Sequence, residues 1–419
     1  MKTYVLLGSL LLVLGSAHVL GAPVAEAGVE PGSCEDASAK AAAELALDKI
    51  NHDRAEGYVF GLHRLSNVHM KQHGEIGTVF YLTLDVVETN CSVLSRKVWK
   101  DCEIRSEAET PVYGQCKAAI YISKPHRVVR LYKYSCTVRP VPGARVGAMC
   151  PDCPTHLDKD SANVQRALTL SMEKFNKESG LANRFAVLNV TRATAGMAMG
   201  MYYNVEYTIQ ETTCRRDAAG AAADKCPFME CEFAHKGFCK GSLFNTPSGE
   251  ETSVECEIYE PEAAEREKKL HLLGGETDHS HSDHHHHTHD HGPGPGSAHD
   301  HGHELALDHE HHHGHLHDHE HHHHHGHTHK GAVHNHPVGK VIVLPPVGQP
   351  MILPSFPDEP VGPVGVTLPL KPDPQIPGET EPVIESFPTG LSAQCPPVLP
   401  GPRLVEQMFH EDPEFKPAA

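Results

Sequence analysis

The chain has 419 residues, enough for two or three domains. Its 36 Lys and Arg stand against 54 Asp and Glu, and a formal net charge of −18 argues against a general nucleic-acid binder. With no His-Glu-x-x-His, no phosphate loop and no persuasive nucleophile motif, nothing in the chain suggests catalysis.

Met1 to about Ala22 reads as a signal peptide, with Lys2 as the charged start and Tyr4 to Leu14 as the apolar run. Cleavage fits after Ala17, Ala22 or Ala27. The apolar run is too short to span a membrane, and no later segment is suited to it, so a secreted, extracellular protein is expected. The 13 cysteines then imply disulfides rather than a reduced active-site thiol.

A helix comes first, with Ala42, Leu45, Ala46 and Ile50 read as one face. A strand follows, in which Phe80, Leu82, Leu84 and Val86 alternate with Tyr81, Thr83 and Asp85 in a half-buried pattern. Asp85 and Glu88 read as acids on a solvated strand face. The same order recurs downstream. Val164, Ala167, Leu168 and Phe175 mark a second helix, and Tyr203, Val205, Tyr207 and Ile209 a second strand. The cysteines repeat with them. Cys91, Cys102, Cys116 and Cys136 recur as Cys214, Cys226, Cys239 and Cys256, at offsets of 120 to 124 residues. Gly114-Gln115-Cys116-Lys117 recurs as Gly237-Phe238-Cys239-Lys240. Two homologous α+β domains are the direct reading, each one helix on an antiparallel sheet.

The repeat makes local pairs natural: Cys91–Cys102, Cys116–Cys136, Cys214–Cys226 and Cys239–Cys256. Cys34 and Cys395 could tie the tail to the start. Cys231 is left unpaired, since its repeat position is Ala108; it could pair between chains, be capped, or compete with Cys226 for Cys214. A zinc set of Cys150, Cys153, Cys226 and Cys231 has permitted spacing, but the repeat uses Cys226 elsewhere.

Between the repeats lies Cys150-Pro151-Asp152-Cys153-Pro154. A Cys150–Cys153 bond would close a very small ring, and the prolines fix φ and remove donors. The result is a stiff projection with one carboxylate at its tip. A carboxylate is a good zinc ligand, and a catalytic zinc keeps one position open. Such a trunk could plug a metalloprotease. A plain linker disulfide is the structural alternative, and a redox pair lacks a thioredoxin-like setting.

After residue 258 the composition changes. His271 to His336 holds 28 of the 37 histidines, with few large apolar residues, so a disordered segment is expected. His284, His285, His286 and His287, and His321, His322, His323, His324 and His325, are dense imidazole runs suited to zinc, copper or nickel. From pH 7.4 to 6.0 the tract would gain on the order of 18 positive charges, at a reference pKa of about 6.5. Heparin-like polyanions become expected partners in acid. The Pro-rich remainder, 337–419, should be extended and mostly irregular. Asn189-Val190-Thr191 is a glycosylation sequon; Asn90-Cys91-Ser92 is a poorer one, since Cys91 is expected in a disulfide.

Several runs resemble the fetuin branch of the cystatin superfamily, most like fetuin-B. They are Gly77 to Val86, Cys91 through Lys97-Val98-Trp99-Lys100-Asp101-Cys102, Val112 to Ala118, Cys136-Thr137-Val138-Arg139-Pro140 and the trunk itself. The His-rich tract resembles histidine-rich glycoprotein, although its His alternates with Asp, Glu and Gly rather than Pro. The resemblance implies two tandem cystatin-like domains, 29–140 and 155–258, joined by a linker at 141–154. Around them stand a signal peptide at 1–22, a His-rich region at 259–336 and a Pro-rich tail at 337–419. It further implies inhibition of astacin-type zinc proteases, with Asp152 on the protease zinc, Cys150, Pro151, Cys153 and Pro154 holding it, and a hairpin near Gly196 to Met201 flanking it. Mineral binding like that of fetuin-A, or metal and polyanion binding like that of histidine-rich glycoprotein, are the alternatives. No cofactor is required. Cysteine-protease inhibition is not expected. Lys71-Gln72-His73-Gly74-Glu75-Ile76-Gly77 and Ala195-Gly196-Met197-Ala198 do not match Gln-x-Val-x-Gly, and the single Trp99 follows Val98 rather than Pro.

Overall fold

The computed structural model describes residues 28–74, 77–198, 200–216, 226–230, 234–246, 249–261, 338–348, 382–397, 399 and 401–416. The first domain opens with the short strand β1 (Glu30–Pro31) and helix α1 (Ala37–Asp53). Asp36 caps that helix, accepting from the Ser38 and Ala39 amides at 2.8 and 3.0 Å, which satisfies two of its orphan donors. Strands β2 (Tyr58–His73), β3 (Gly77–Ser92), β4 (Val112–Ser123) and β5 (Val128–Pro140) then run antiparallel in sequence order.

Helix α2 (Gly143–Met149) leads out of this domain, and strand β6 (Thr155–His156) enters the next. The second domain repeats the plan with α3 (Ala162–Glu178), β7 (Asn183–Met197), β8 (Met201–Arg215), β9 (Lys236–Thr246) and β10 (Gly249–Tyr259), in sheet order β10-β9-β8-β7-β6. The register preserves the repeat down to single residues. Cys116 faces Cys136 across β4 and β5, and Cys239 faces Cys256 across β9 and β10. Both pairs are bonded, as are Cys91–Cys102, Cys214–Cys226, Cys150–Cys153 and Cys34–Cys395. Among the described residues no helix is long and apolar enough to cross a membrane.

Each helix buries one face on its sheet. Ala39, Ala42, Ala43, Ala46, Leu47 and Ile50 pack on the first sheet, and Val164, Ala167, Leu168 and Met172 on the second. Leu45 does not belong to that face: it is 38% exposed, because the buried rows run through 39-43-47 and 42-46-50.

Strand β3 departs from its alternating pattern in a more instructive way. Tyr81, Thr83 and Asp85, the side expected to face solvent, are buried too. Their cover comes from the C-terminal part of the chain. Ile384 and Phe387 pack with Tyr81, whose ring meets Phe387 edge-on at 5.9 Å, and the Glu385 amide donates to the Tyr81 hydroxyl at 2.9 Å.

The Pro-rich tail therefore contributes structure that its composition did not suggest. Gly339–Val343 forms β11, parallel to β5, at the edge of the first sheet. Its Val341-Ile342-Val343 run is β-branched and stops before Pro345, which suits an edge strand. Leu404–Glu411 forms helix α4, flanked by Pro402 and Pro413, and buries Leu404, Val405, Met408 and Phe409.

Candidate functional site: a trunk braced between two domains

The Cys150–Cys153 ring is held at both ends. On the entry side Val141 is buried, and its amide donates to the Pro111 carbonyl at 3.0 Å. Pro142 then starts α2, accepting from the Arg145 and Val146 amides at 2.9 and 3.3 Å. The Cys150 amide donates to the Val146 carbonyl at 2.8 Å, so the first cysteine sits on the end of the helix. The Cys153 amide returns to the Cys150 carbonyl at 3.1 Å and closes the turn beneath the disulfide. Pro151 and Asp152 are exposed at the tip, while Cys153 and Pro154 are half-buried. Asp152 makes no side-chain hydrogen bond or ion pair among the described residues; its carboxylate is free to meet an external ligand.

On the exit side Thr155 and His156 pair with Ala195 and Thr194 of β7, and the Leu157 amide donates to the Ala193 carbonyl at 3.0 Å. Strand β6 therefore lies beside the end of β7 that turns into β8. That turn offers Met197, 71% exposed, and next to it the tilted pair Tyr202 and Phe244, their rings 5.7 Å apart. Gly196 and Gly200 permit its tight approach: an added Cβ would lie 2.2 Å from the Tyr202 hydroxyl at Gly196 and 2.1 Å from the Asn245 carbonyl oxygen at Gly200.

A buried ionic cluster fixes the two domains against each other. Glu88 of β3 accepts from Arg192 of β7 through both oxygens, at 2.6 and 2.7 Å, and from the Val112 amide at 2.8 Å. Arg192 also donates to the carbonyls of Glu109 and Thr110 at 2.9 and 3.2 Å. Arg105 donates to Glu206 of β8 at 3.2 and 3.0 Å and lies 4.5 Å over the Tyr58 ring. The Tyr58 hydroxyl bonds Glu206 in turn. Burial alone would raise the Glu206 carboxyl, but Arg105 and Tyr58 outweigh it and hold it below the ordinary value. Among these side chains only Glu88 drew attention in the sequence, and as a solvated acid; the structure corrects that. Asp85 is likewise buried, held by Arg64 at 2.9 and 3.1 Å and by Gln115 at 2.8 Å. With both acids engaged inside the protein, they cannot serve as a mineral-binding face.

The remaining sequence candidates fall as follows. Asn189 is half-buried on β7, with its side-chain amide 3.4 Å from Glu56 Oε2. The four-cysteine zinc set fails, because Cys150, Cys153 and Cys226 are all in disulfides. Cys231 and the imidazole runs at 284–287 and 321–325 lie outside the described residues, as do the signal segment and most of the His-rich region. Among the described residues no group of three or more His, Cys, Asp or Glu is placed to hold a metal ion.

Comparison with known proteins finds one domain type twice in the chain. The cystatin domain family model matches residues 27–124 and again 153–248. Human fetuin-B is 40% identical over 232 residues, covering 55% of this chain and 59% of that protein. The match thus spans under two thirds of the length of the fetuin-B relatives. Mouse fetuin-B solved in an inhibitory complex with human meprin beta is 36% identical, covering 56% of this chain and 76% of that one, with a TM-score of 0.49. Mouse fetuin-B solved with crayfish astacin is also 36% identical, covering 57% and 70%, with a TM-score of 0.46. The likeness is carried by sequence rather than by superposition.

Proposed function

We propose that the chain is a fetuin-type member of the cystatin superfamily, on its two cystatin-domain matches and its 40% identity to human fetuin-B, and that it is a secreted inhibitor of astacin-family zinc metalloproteases. In this reading Asp152 is the inhibitory ligand. Its carboxylate takes the open position on the protease's zinc and displaces the water that would attack substrate. One coordination bond, carboxylate to zinc, replaces another, water to zinc, and no covalent bond in either protein is made or broken, so in this reading the chain acts as a binder and not as an enzyme. The observation that carries the reading is the exposed carboxylate on a disulfide ring braced on both sides. A ring held in place loses little conformational freedom on binding, which favours affinity. The neighbouring hairpin, with Met197 and Tyr202, and Phe244 of β9 beside it supply an apolar flank for the cleft wall. The relatives' partners, meprin beta and astacin, set the protease class to examine first.

The test is a dose titration of the full chain against a panel of astacin-family proteases, with papain as control. Stoichiometric loss of astacin activity with papain unaffected is expected. Papain inhibition with the astacins untouched would replace this reading with a cystatin-type one.

A second activity is favoured by one observation, the 28 histidines between His271 and His336. We infer that this segment binds zinc, copper or nickel, and heparin-like polyanions at acidic pH. Deleting 271–336 should abolish most nickel binding, and heparin binding near pH 6, while inhibition persists. In the intact chain metal binding should fall with pH, because protonated imidazole cannot ligate, and heparin binding should rise. Calorimetry in one buffer series reads both. Loss of inhibition on deletion would move the inhibitory role from Asp152 to the imidazoles.

A further inference from the structure

Helix α2, which carries the ring, is poorly equipped to stand alone. It has seven residues, two of them glycine, and no side-chain cap. A helix this short is marginal in water. Its only buried residue is Val146. What Val146 packs into comes largely from the far end of the chain. Leu404, Val405, Met408 and Phe409 of α4, with Phe415 beyond it, join Val87, Tyr113 and Val141 of the first domain in one buried cluster. Cys153 of the ring packs against the same cluster. From α2, Arg145 reaches across to Glu411 at 2.9 Å and to Gln407 at 3.0 Å.

Helix α4 is anchored to the first domain independently of the trunk. Its C-cap, Asp412, is buried, accepts from the Tyr113 hydroxyl at 2.9 Å and lies 3.2 Å from Arg139 Nε. Phe409 stacks on His63 with centroids 5.2 Å apart and meets Tyr113 edge-on at 5.4 Å. Nine residues upstream, the Cys34–Cys395 bond pins the same segment covalently. The helix is therefore a fixed wall, and the trunk leans on it through Arg145, Val146 and Cys153.

We propose that α4 is a positioning element for the inhibitory trunk, with Val146 and Phe409 as the residues through which the C-terminus sets the orientation of the Asp152 ring. The claim rests on the trunk being the inhibitory element. It differs from a mere covering role in that loss of the contact should act on the trunk even where the first domain stays intact.

The experiment uses the full chain with Val146→Ser, changed from the trunk side, and Phe409→Ala, changed from the helix side. Phe409→Leu serves as the conservative control and Asp152→Ala as the reference. Hydrogen exchange of peptides covering 143–153 is read beside the dissociation rate from an astacin-family protease and the melting temperature. Val146→Ser and Phe409→Ala should each raise exchange across 143–153 and speed dissociation at least about tenfold, since tuning of one interface shows mainly in dissociation. Phe409→Leu should restore both. Only Phe409→Ala should lower the melting temperature appreciably. Unchanged exchange at 143–153 in both variants would overturn the proposal and leave α4 a cover. So would raised exchange with unchanged dissociation, provided Asp152→Ala abolishes inhibition. Inhibition that survives Asp152→Ala would instead sink the zinc-ligand reading, and exchange alone would then decide the positioning claim.

Discussion

Asp152→Ala is expected to remove most inhibition of astacin-family proteases while leaving the fold unchanged. The residue is exposed and has no side-chain partner among the described residues, so its loss should move stability by no more than about 0.5 kcal/mol. Its effect on inhibition should be large for the opposite reason. A ligand to a divalent metal contributes several kcal/mol, and about 3 kcal/mol corresponds to a rise of more than roughly a hundredfold in the inhibition constant. Asp152→Asn sharpens the result, since a neutral amide keeps the shape and loses the charge. Inhibition constants and melting curves on the three proteins decide the matter. Equal inhibition by wild type and Asp152→Ala would mean that the ring is a linker disulfide only.

The second large effect is on stability. Glu88→Ala would strip Arg192 of its two short carboxylate bonds and leave two buried arginines, Arg192 and Arg105, to share Glu206 alone among the buried acids. Breaking a buried pair from one side costs about 3–5 kcal/mol, because an uncompensated charge remains inside. For two domains of this size the melting temperature should fall on the order of 10 °C. Glu88→Gln keeps the shape and part of the hydrogen bonding and should fall less. A loss under about 1 kcal/mol in Glu88→Ala would show that water re-enters and solvates the arginines, so that the cluster does not fix the interface. The same cluster gives the interface an acid limit. The Glu206 carboxyl is held below its ordinary 4.5. Its contribution is therefore present above about pH 4.5 and is lost as pH falls through the lower folded value.

What the sequence revealed, and what it hid, follows from how far apart the interacting residues stand. The paired disulfides of the repeats were legible because each joins neighbouring parts of one unit, and the unit occurs twice. The exposed ring was legible because two prolines and two cysteines leave a five-residue segment few shapes. The outer face of β3 was misread because its cover arrives about three hundred residues later: local alternation says which side is polar enough for water, not whether Phe387 will lie there. Glu88 was misread for a related reason. An acid on a strand looks solvated until the arginine that neutralises it, Arg192, comes from another domain. Helix α4 had a usable signal, with apolar residues at 404, 405, 408 and 409 between two prolines. Its short length and the proline-rich surroundings masked it. Leu45 shows the smallest error, one position's rotation around a helix whose buried face is mostly alanine.

The Cys34–Cys395 bond makes the molecule behave as a two-key lock. Segments 262–337 and 349–381 separate the second domain from the C-terminal pieces that dock on the first. A single cut in the latter severs the backbone, yet residues 382–416 stay attached through the disulfide and α4 keeps its place against Val146. Reducing that disulfide alone also leaves α4 in place, because the backbone still leads to it. For a cut within 349–381, only both events together break every covalent tie between the helix and the first domain, a logical AND of proteolysis and reduction. In an oxidising compartment the second condition is seldom met, so a chain nicked within 349–381 keeps α4 tethered to the first domain.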